Sequence, residues 1–519
     1  MRVEMLAILG AAAFLVPMCS AADDDLEARI AALESTVAGM ADTVDSKLDA
    51  VDADTFWLLF GTVLVFFMQA GFAMLEVGQV AVKNTKNILI KNIFDAVIAA
   101  LFWWATGYGL AFGADGFVRR NKGSGENGFY GGSGFFYEGI GSGDDASPLT
   151  NTPSAKTYGK ASWMFQWAFA GTTATIVSGA IAERATFGAY VAYSCLLVGY
   201  IYPAVVHMGW SSDGKFSPWR EKRLFGGCGM IDFAGSGVVH MTGGVSAVIA
   251  STFVGPRKGR FGPDAKHLEQ QSVVFQSLGT LILWVGWYGF NGASTLAIQG
   301  YGGVAAHVFM TTTIAAATSC ISCVLVSYLL THIIDPSMAN NGILAGLVAI
   351  TAGCSTSNNW GAFFTGLVAC PVYMCASKLL VKLEIDDVVD AFPVHGACGC
   401  WGVIAAALFA SEFYYANAYY SDRKDDCAGI FYGGDGGSLG AAVCFIFADI
   451  GWTGANIFLL FLVCKYVYPY GIRVDESVED VGMDDSKHGG HCDVPMPPPG
   501  ATNDHVELQT KDYEKEMEA

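Results

Sequence analysis

Two stretches of this chain place ionisable residues where an apolar environment would penalise them. One runs from Asp232 to His240 and reads DFAGSGVVH; the other runs from Asp386 to His395 and reads DDVVDAFPVH. Each sets a carboxylate at the start of an apolar run and a histidine further in. Such groups are expensive within a membrane, so each is a functional candidate. Asp232 and His240 are eight residues apart, about 12 Å along a helix, so they cannot bond each other directly. A metal could use the two histidines, but neither is followed by a third His, Cys or carboxylate at i+3 or i+4. No metal and no cofactor is therefore expected. A lone membrane histidine can simply bond a neighbouring carbonyl; two at mirrored places favour a shared pore lining.

Aromatic residues add a second chemistry. Phe165 and Phe169 are one turn apart, Trp210 ends an apolar run, and Phe290 is followed one turn later by Ser294. Singly these are core or interfacial residues. Together they can form a vestibule in which a desolvated cation gains up to about 2 kcal/mol over a ring face.

The elements that must carry these residues are long apolar helices. A span needs about 20 apolar residues. On that length, spans are predicted near 55–79, 88–113, 161–182, 187–210, 232–255, 271–296, 304–331, 341–355, 360–381, 392–411 and 437–468, the eighth being short. The fold class is all-α and polytopic, with about 11 transmembrane helices. Gln69–Phe72 (QAGF) echoes Tyr288–Asn291 (YGFN), and Val239-His240 echoes Val394-His395. Spans one to five mirrored by six to ten would form an inverted 5+5 repeat, followed by a long eleventh helix.

Composition agrees with this class. Of 519 residues 53% are hydrophobic and only 15% charged, against about a quarter charged in soluble domains. The net charge of −19 excludes a nucleic-acid partner. Most of the 14 cysteines sit in apolar runs as small hydrophobes. Cys228 and Cys427 fall in predicted external loops, which leaves a bridge between them open. Residues 1–22 read as a signal peptide, and 23–53 as an extracellular amphipathic segment with apolar residues at Leu26, Ile30, Leu33, Val37, Met40 and Val44. The membrane domain is 54–469, and 470–519 is an acidic, largely flexible cytoplasmic tail. Lys83, Lys86, Arg184, Arg257, Lys258 and Arg260 then face the cytoplasm, whereas Arg220, Lys222 and Arg223 fall in an external loop against the positive-inside rule.

The chain resembles the Amt branch of the ammonium transporter/Rhesus superfamily over roughly residues 54–490. The resemblance rests on QAGFAMLE at Gln69, FQWAFA at Phe165, GAIAER at Gly179, HMGW at His207, the stretch from Asp232 to Arg260, GWYGFNGAS at Gly286 and DAFPVHGACG at Asp390. It implies a homotrimer with one pore per subunit and not an enzyme; the signal peptide points to the plasma membrane with the amino terminus outside, and eleven spans then put the carboxyl terminus inside. Phe169 and Phe290 resemble a stacked phenylalanine gate. Trp210 and Ser294 resemble an outer ammonium-recruitment site shaped by Asp232, and His240 and His395 resemble a twin-histidine pair. The amino-terminal segment lies outside the family pattern.

The resemblance further implies ammonium deprotonation near the gate, ammonia conduction past the histidines and separate proton relay. GMDDSKHGG at Gly482 resembles a eukaryotic regulatory tail, which makes Ser486 a kinase target. An ammonium sensor with little transport and a Rhesus-like neutral channel are the alternatives, the latter opposed by Trp210. A membrane enzyme is opposed by the lack of a nucleophile–base pair.

Overall fold

The computed structural model describes residues 24–114, 128–138, 153–220, 225–263, 265–266, 268–469 and 471–489. The predicted signal peptide, Lys222, Arg223 and the prolines after residue 490 lie outside these. A helix stands at each expected span: α1 (Asp24–Gln79), α2 (Val82–Phe112), α3 (Pro153–Ala180), α4 (Phe187–Trp210), α5 (Ser236–Val254), α6 (Val273–Thr295), α7 (Gly302–Thr331), α8 (Pro336–Ile350), α9 (Asn359–Lys382), α10 (Phe392–Phe409) and α11 (Gly437–Tyr466). Two short helices follow, α12 (Glu476–Val481) and α13 (Met483–Lys487).

Among the described residues nine of these helices are long and apolar enough to cross a membrane: α1 from Val51 on, α2, α4, α5, α6, α7, α9, α10 and α11. The other two differ for distinct reasons. Helix α3 is long, but its inner half carries Thr172, Thr173, Thr175 and Ser178, all buried. Thr172 and Thr173 donate to the carbonyls of Ala168 and Phe169 one turn back, so this polarity is satisfied within the bundle. Helix α8 has 15 residues, about 22 Å at the usual rise, and continues into the turn-rich stretch from Thr351 to Ser357.

The amino-terminal segment does not form a short separate helix. It is continuous with the first span in one helix of 56 residues, because nothing between Asp24 and Gln79 breaks the backbone pattern. Where α1 passes α6, small residues let the backbones close up. A Cβ on Gly71 would lie 2.8 Å from the Leu283 side chain and 3.0 Å from its backbone nitrogen.

The tail is also more ordered than its composition predicts. Up to Gly489 it packs on the loops at one end of the bundle. Asp484, fully buried, accepts from the backbone amides of Lys86 and Asn87 at 2.9 Å each, in the first turns of α2. Lys83 Nζ donates to the carbonyls of Glu479 and Asp480, Lys258 pairs with Asp480 at 2.7 Å, and Arg473 pairs with Glu479 at 2.7 Å. Three acids of this run, Glu479, Asp480 and Asp484, thus meet backbone amides or basic side chains. The basic residues predicted to share a cytoplasmic face thus do gather at one end.

Candidate functional site

Helices α5 and α10 both begin as π turns, Ser236–Met241 and Phe392–Ala397, and each π turn contains one of the two histidines. The two helices cross just beyond them, where a Cβ on Gly244 would collide with the backbone of Gly396. That crossing brings His240 Nδ1 to 3.1 Å from His395 Nδ1, with the rings stacked at 5.2 Å between centroids. His240 is fully buried and His395 nearly so.

The start of each helix is held by a carboxylate eight residues before the histidine. Asp232 accepts from the amides of Gly235, Gly237 and Val238 at 2.9–3.0 Å. Gly235 takes φ 108°, a conformation that suits glycine at this sharp entry. The counterpart in α10 is Asp387, not Asp386: its carboxylate accepts from the amide of Phe392 at 2.8 Å, five residues on, as Asp232 does from Gly237. Asp386 instead faces a cation. It is bound by Arg257 through Nε at 2.8 Å and Nη2 at 3.0 Å, and by Arg260 at 3.3 Å. Burial alone would raise the Asp386 carboxyl, but Arg257 overrides this and holds it well below the usual carboxylate range.

The aromatic residues form a continuous stack above the histidines. Phe169 and Phe290 lie face to face with centroids 4.0 Å apart and an interplanar angle of 22°. Phe165 adjoins Phe169 at 4.8 Å, and Trp210 meets Phe169 edge-on at 6.0 Å. Phe290 in turn stacks on His240 at 5.3 Å. Outside the Phe pair is a cavity of about 380 Å³ whose walls include Trp210, Ser294, Phe169, Asp232 and Gln166. The Trp210 indole N–H is committed to the Asp232 carbonyl at 2.7 Å. Ser294 donates its hydroxyl proton to the Phe290 carbonyl at 2.7 Å.

Seven of the eight predicted site residues therefore converge on one axis, with Ser486 apart, exposed on α13 beside the docked tail. Three further residues belong to this axis. Trp287 stacks on His240 at 5.0 Å and 14°, Phe72 lies 6.1 Å from His395, and Asp387 holds the start of α10. Their signals were in the sequence: Trp287 stands inside GWYGF, and Phe72 is the mirror of Phe290 in the QAGF/YGFN echo. Asp387 shares the eight-residue spacing to a histidine that Asp232 has. The matched pairs Phe290–His240 and Phe72–His395 fit the expected inverted repeat. At the same end as the cavity, Cys228 and Cys427 form a disulfide across 199 residues.

The sequence profile of the Ammonium Transporter Family matches residues 56–492. A putative ammonium transporter 1 member 5 of Arabidopsis thaliana is 40% identical over 429 residues, covering 80% of each chain. Ammonium transporter 1 member 3 of Solanum lycopersicum is 37% identical over 449 residues, covering 84% of this chain and 92% of its own. Among solved structures, a sensor Amt protein superposes with a TM-score of 0.71 at 30% identity, covering 85% of this chain and 99% of its own. Candida albicans Mep2 superposes with a TM-score of 0.69 at 25% identity, covering 82% and 87%. The histidine-bearing axis thus lies within the matched region, and the chain is a multi-pass membrane protein that belongs to the ammonium transporter family.

Proposed function

We propose that this protein moves ammonium across the plasma membrane by separating it into ammonia and a proton. The observation that carries the reading is the sequence of environments along one axis: a vestibule with ring faces and a hydroxyl, a stacked Phe pair, then two buried histidines. Because the Ser294 hydroxyl proton already goes to Phe290, its lone pairs are left to accept from an incoming N–H. Ammonium can donate there; potassium, similar in size and charge, cannot. The Phe169 and Trp210 rings favour a cation, and the Asp232 carboxylate supplies a negative field while its oxygens stay occupied by backbone amides.

Beyond the Phe pair the path is dry and aromatic, which penalises a bare cation and favours neutral ammonia. Ammonium therefore gives up one proton near the gate and continues as ammonia. The two Nδ1 atoms at 3.1 Å require one N–H and one lone pair. The pair accordingly holds one proton between its inner nitrogens and offers one bare Nε2 and one Nε2–H to whatever passes. Ammonia can accept from one and donate to the other. The proton crosses by separate relay and recombines on the far side, so one charge moves per ammonium. The protein acts as a homotrimer of independent pores, with 54–469 as the conducting domain and 470–519 as a cytoplasmic regulatory tail.

One similar structure is a sensor Amt protein, and an ammonium receptor with little transport is the second reading. A His240→Ala variant tests the proposal in cells that express the protein at the surface. It should lose proton-coupled ammonium current; a selective current as large as that of the parent would contradict the twin-histidine mechanism.

A further inference from the structure

A second buried polar group, between α1, α2, α3 and α4, has no part in the transport reading. Glu76 lies on α1 one turn beyond Phe72, the ring set near His395, toward the end of the bundle where the tail docks. Lys91 and Asp95 face it from α2, and all three are at most 1% exposed. Asn92 Nδ2 donates to Glu76 Oε2 at 2.8 Å, and the Ser178 hydroxyl of α3 lies 3.4 Å from Oε1. Asp95 Oδ1 accepts from Tyr190 at 2.9 Å and from Ser194 at 3.2 Å, both on α4. A Cβ on Gly179 would lie 2.8 Å from both Glu76 Oε1 and Val389, so Glu76 sits beside the segment that leads to His395.

This cluster is not a closed ion pair. Lys91 Nζ, Asn92 Oδ1 and Asp95 Oδ2 are buried without a hydrogen-bond partner among the described residues, although Lys91 lies within electrostatic reach of both carboxylates. Buried polar atoms of this kind are met by internal water. Fully ionised, two carboxylates and one ammonium would also leave one net negative charge in a dry interior, which is costly until one proton is bound. Tyr190 and Tyr193 of α4 add no compensating charge. Arg184, after α3, faces Lys91, but its guanidinium is held by the carbonyls of Ala180, Ala182, Gly255 and Asp386.

We propose that Glu76, Lys91 and Asp95 form a site for one exchangeable proton, which receives the proton relayed past the histidines; this rests on the transport reading above. Glu76 gains an O–H bond to a proton from water on the histidine side. It then gives that proton to water on the cytoplasmic side, so the cluster returns to its starting charge in each cycle. The Lys91 ammonium repels the bound proton and so favours its release.

The test is Glu76→Gln in the full chain at the cell surface, which keeps an acceptor for Asn92 and removes the charge. Ammonium current should fall at least about tenfold while labelled methylammonium still enters, and Glu76→Asp, which restores a carboxylate, should recover part of the current. Lys91→Met should hold the proton more tightly, so acidifying the cytoplasm should inhibit its current at a higher pH than in the parent. A Glu76→Gln current equal to the parent's would overturn the proposal and leave the transport reading standing; a parent without current would overturn both. Joint loss of current and uptake in Glu76→Gln, with acid inhibition unmoved in Lys91→Met, is the result expected of a merely structural pair and would also overturn it. Should Glu76→Gln not reach the surface, the shift in Lys91→Met decides alone.

Discussion

Trp210 stands at the mouth of the site with its indole N–H already used by the Asp232 carbonyl, so only its ring remains for a substrate. A desolvated cation on that ring is stabilised by up to about 2 kcal/mol, a factor of roughly 30 in affinity. Trp210→Leu should therefore raise the half-saturating ammonium concentration by up to about that factor. The maximal rate should fall far less, since the histidines are untouched; concentration-dependent currents measure both. Most of the residues on this axis were legible because their types are costly or unusual in apolar runs: two histidines, a carboxylate and closely spaced aromatics. The choice between Asp386 and Asp387 was not. Two adjacent carboxylates look alike in sequence, and only the fold shows that one meets Arg257 while the other meets the amide of Phe392. Trp287 was hidden for a related reason, since a tryptophan in an apolar helix reads as packing until a histidine is found against its face.

Elements hold the site through their ends. Helices α5 and α10 start abruptly at carboxylate-capped π turns, and the loop between α9 and α10 is anchored by Arg257 on Asp386. Removing one member of such a buried pair costs about 3–5 kcal/mol, and Arg257→Gln should lower thermal stability in detergent accordingly. Its acid dependence should weaken. In the parent the Asp386 carboxyl is depressed, so its stabilisation is complete above the unfolded value of about 4 and is lost as pH falls through the lower folded value. Without Arg257, Arg260 and Arg184 still face the carboxylate, so its depression should shrink and less stability should be lost on acidification. Unfolding temperatures of parent and variant from roughly pH 5 down to pH 2 would show this. The Cys228–Cys427 bridge ties the loop after α4 to the loop before α11, and Cys228→Ser should cost about 2–4 kcal/mol, read as a lower unfolding temperature. Helix positions were legible from apolar length. The polarity of α3 and the shortness of α8 keep both outside a simple length-and-hydropathy criterion, because the bundle around α3 satisfies its hydroxyls.

At the scale of the whole molecule, the docked tail connects the far end of the chain to the first turns of α2. Asp484 is buried on the amides of Lys86 and Asn87, and Ser486 is exposed one half-turn away. A phosphate on Ser486 would add about −1.5 to −2 charge beside Asp484 and Asp485 and should loosen that contact. Ser486→Asp should reduce transport at equal surface expression while Ser486→Ala keeps it; full transport by Ser486→Asp would remove the tail from regulation. The order of this tail was hidden in the sequence, because an acidic run reads as solvated until its partners are known. Those partners are Arg473, six residues before Glu479, and, from segments far away in the chain, Lys83, Lys258 and the amides of Lys86 and Asn87.

Selective passage of ammonium with net charge can be measured as current under voltage clamp in cells expressing the chain, with ammonium, methylammonium and potassium added in turn. Deprotonation at the gate with separate proton relay requires a saturable inward current with ammonium and none with potassium. Labelled methylammonium entering without current would contradict the electrogenic mechanism in favour of neutral conduction. Neither current nor uptake, from protein shown to be at the surface, would contradict transport itself and leave the receptor.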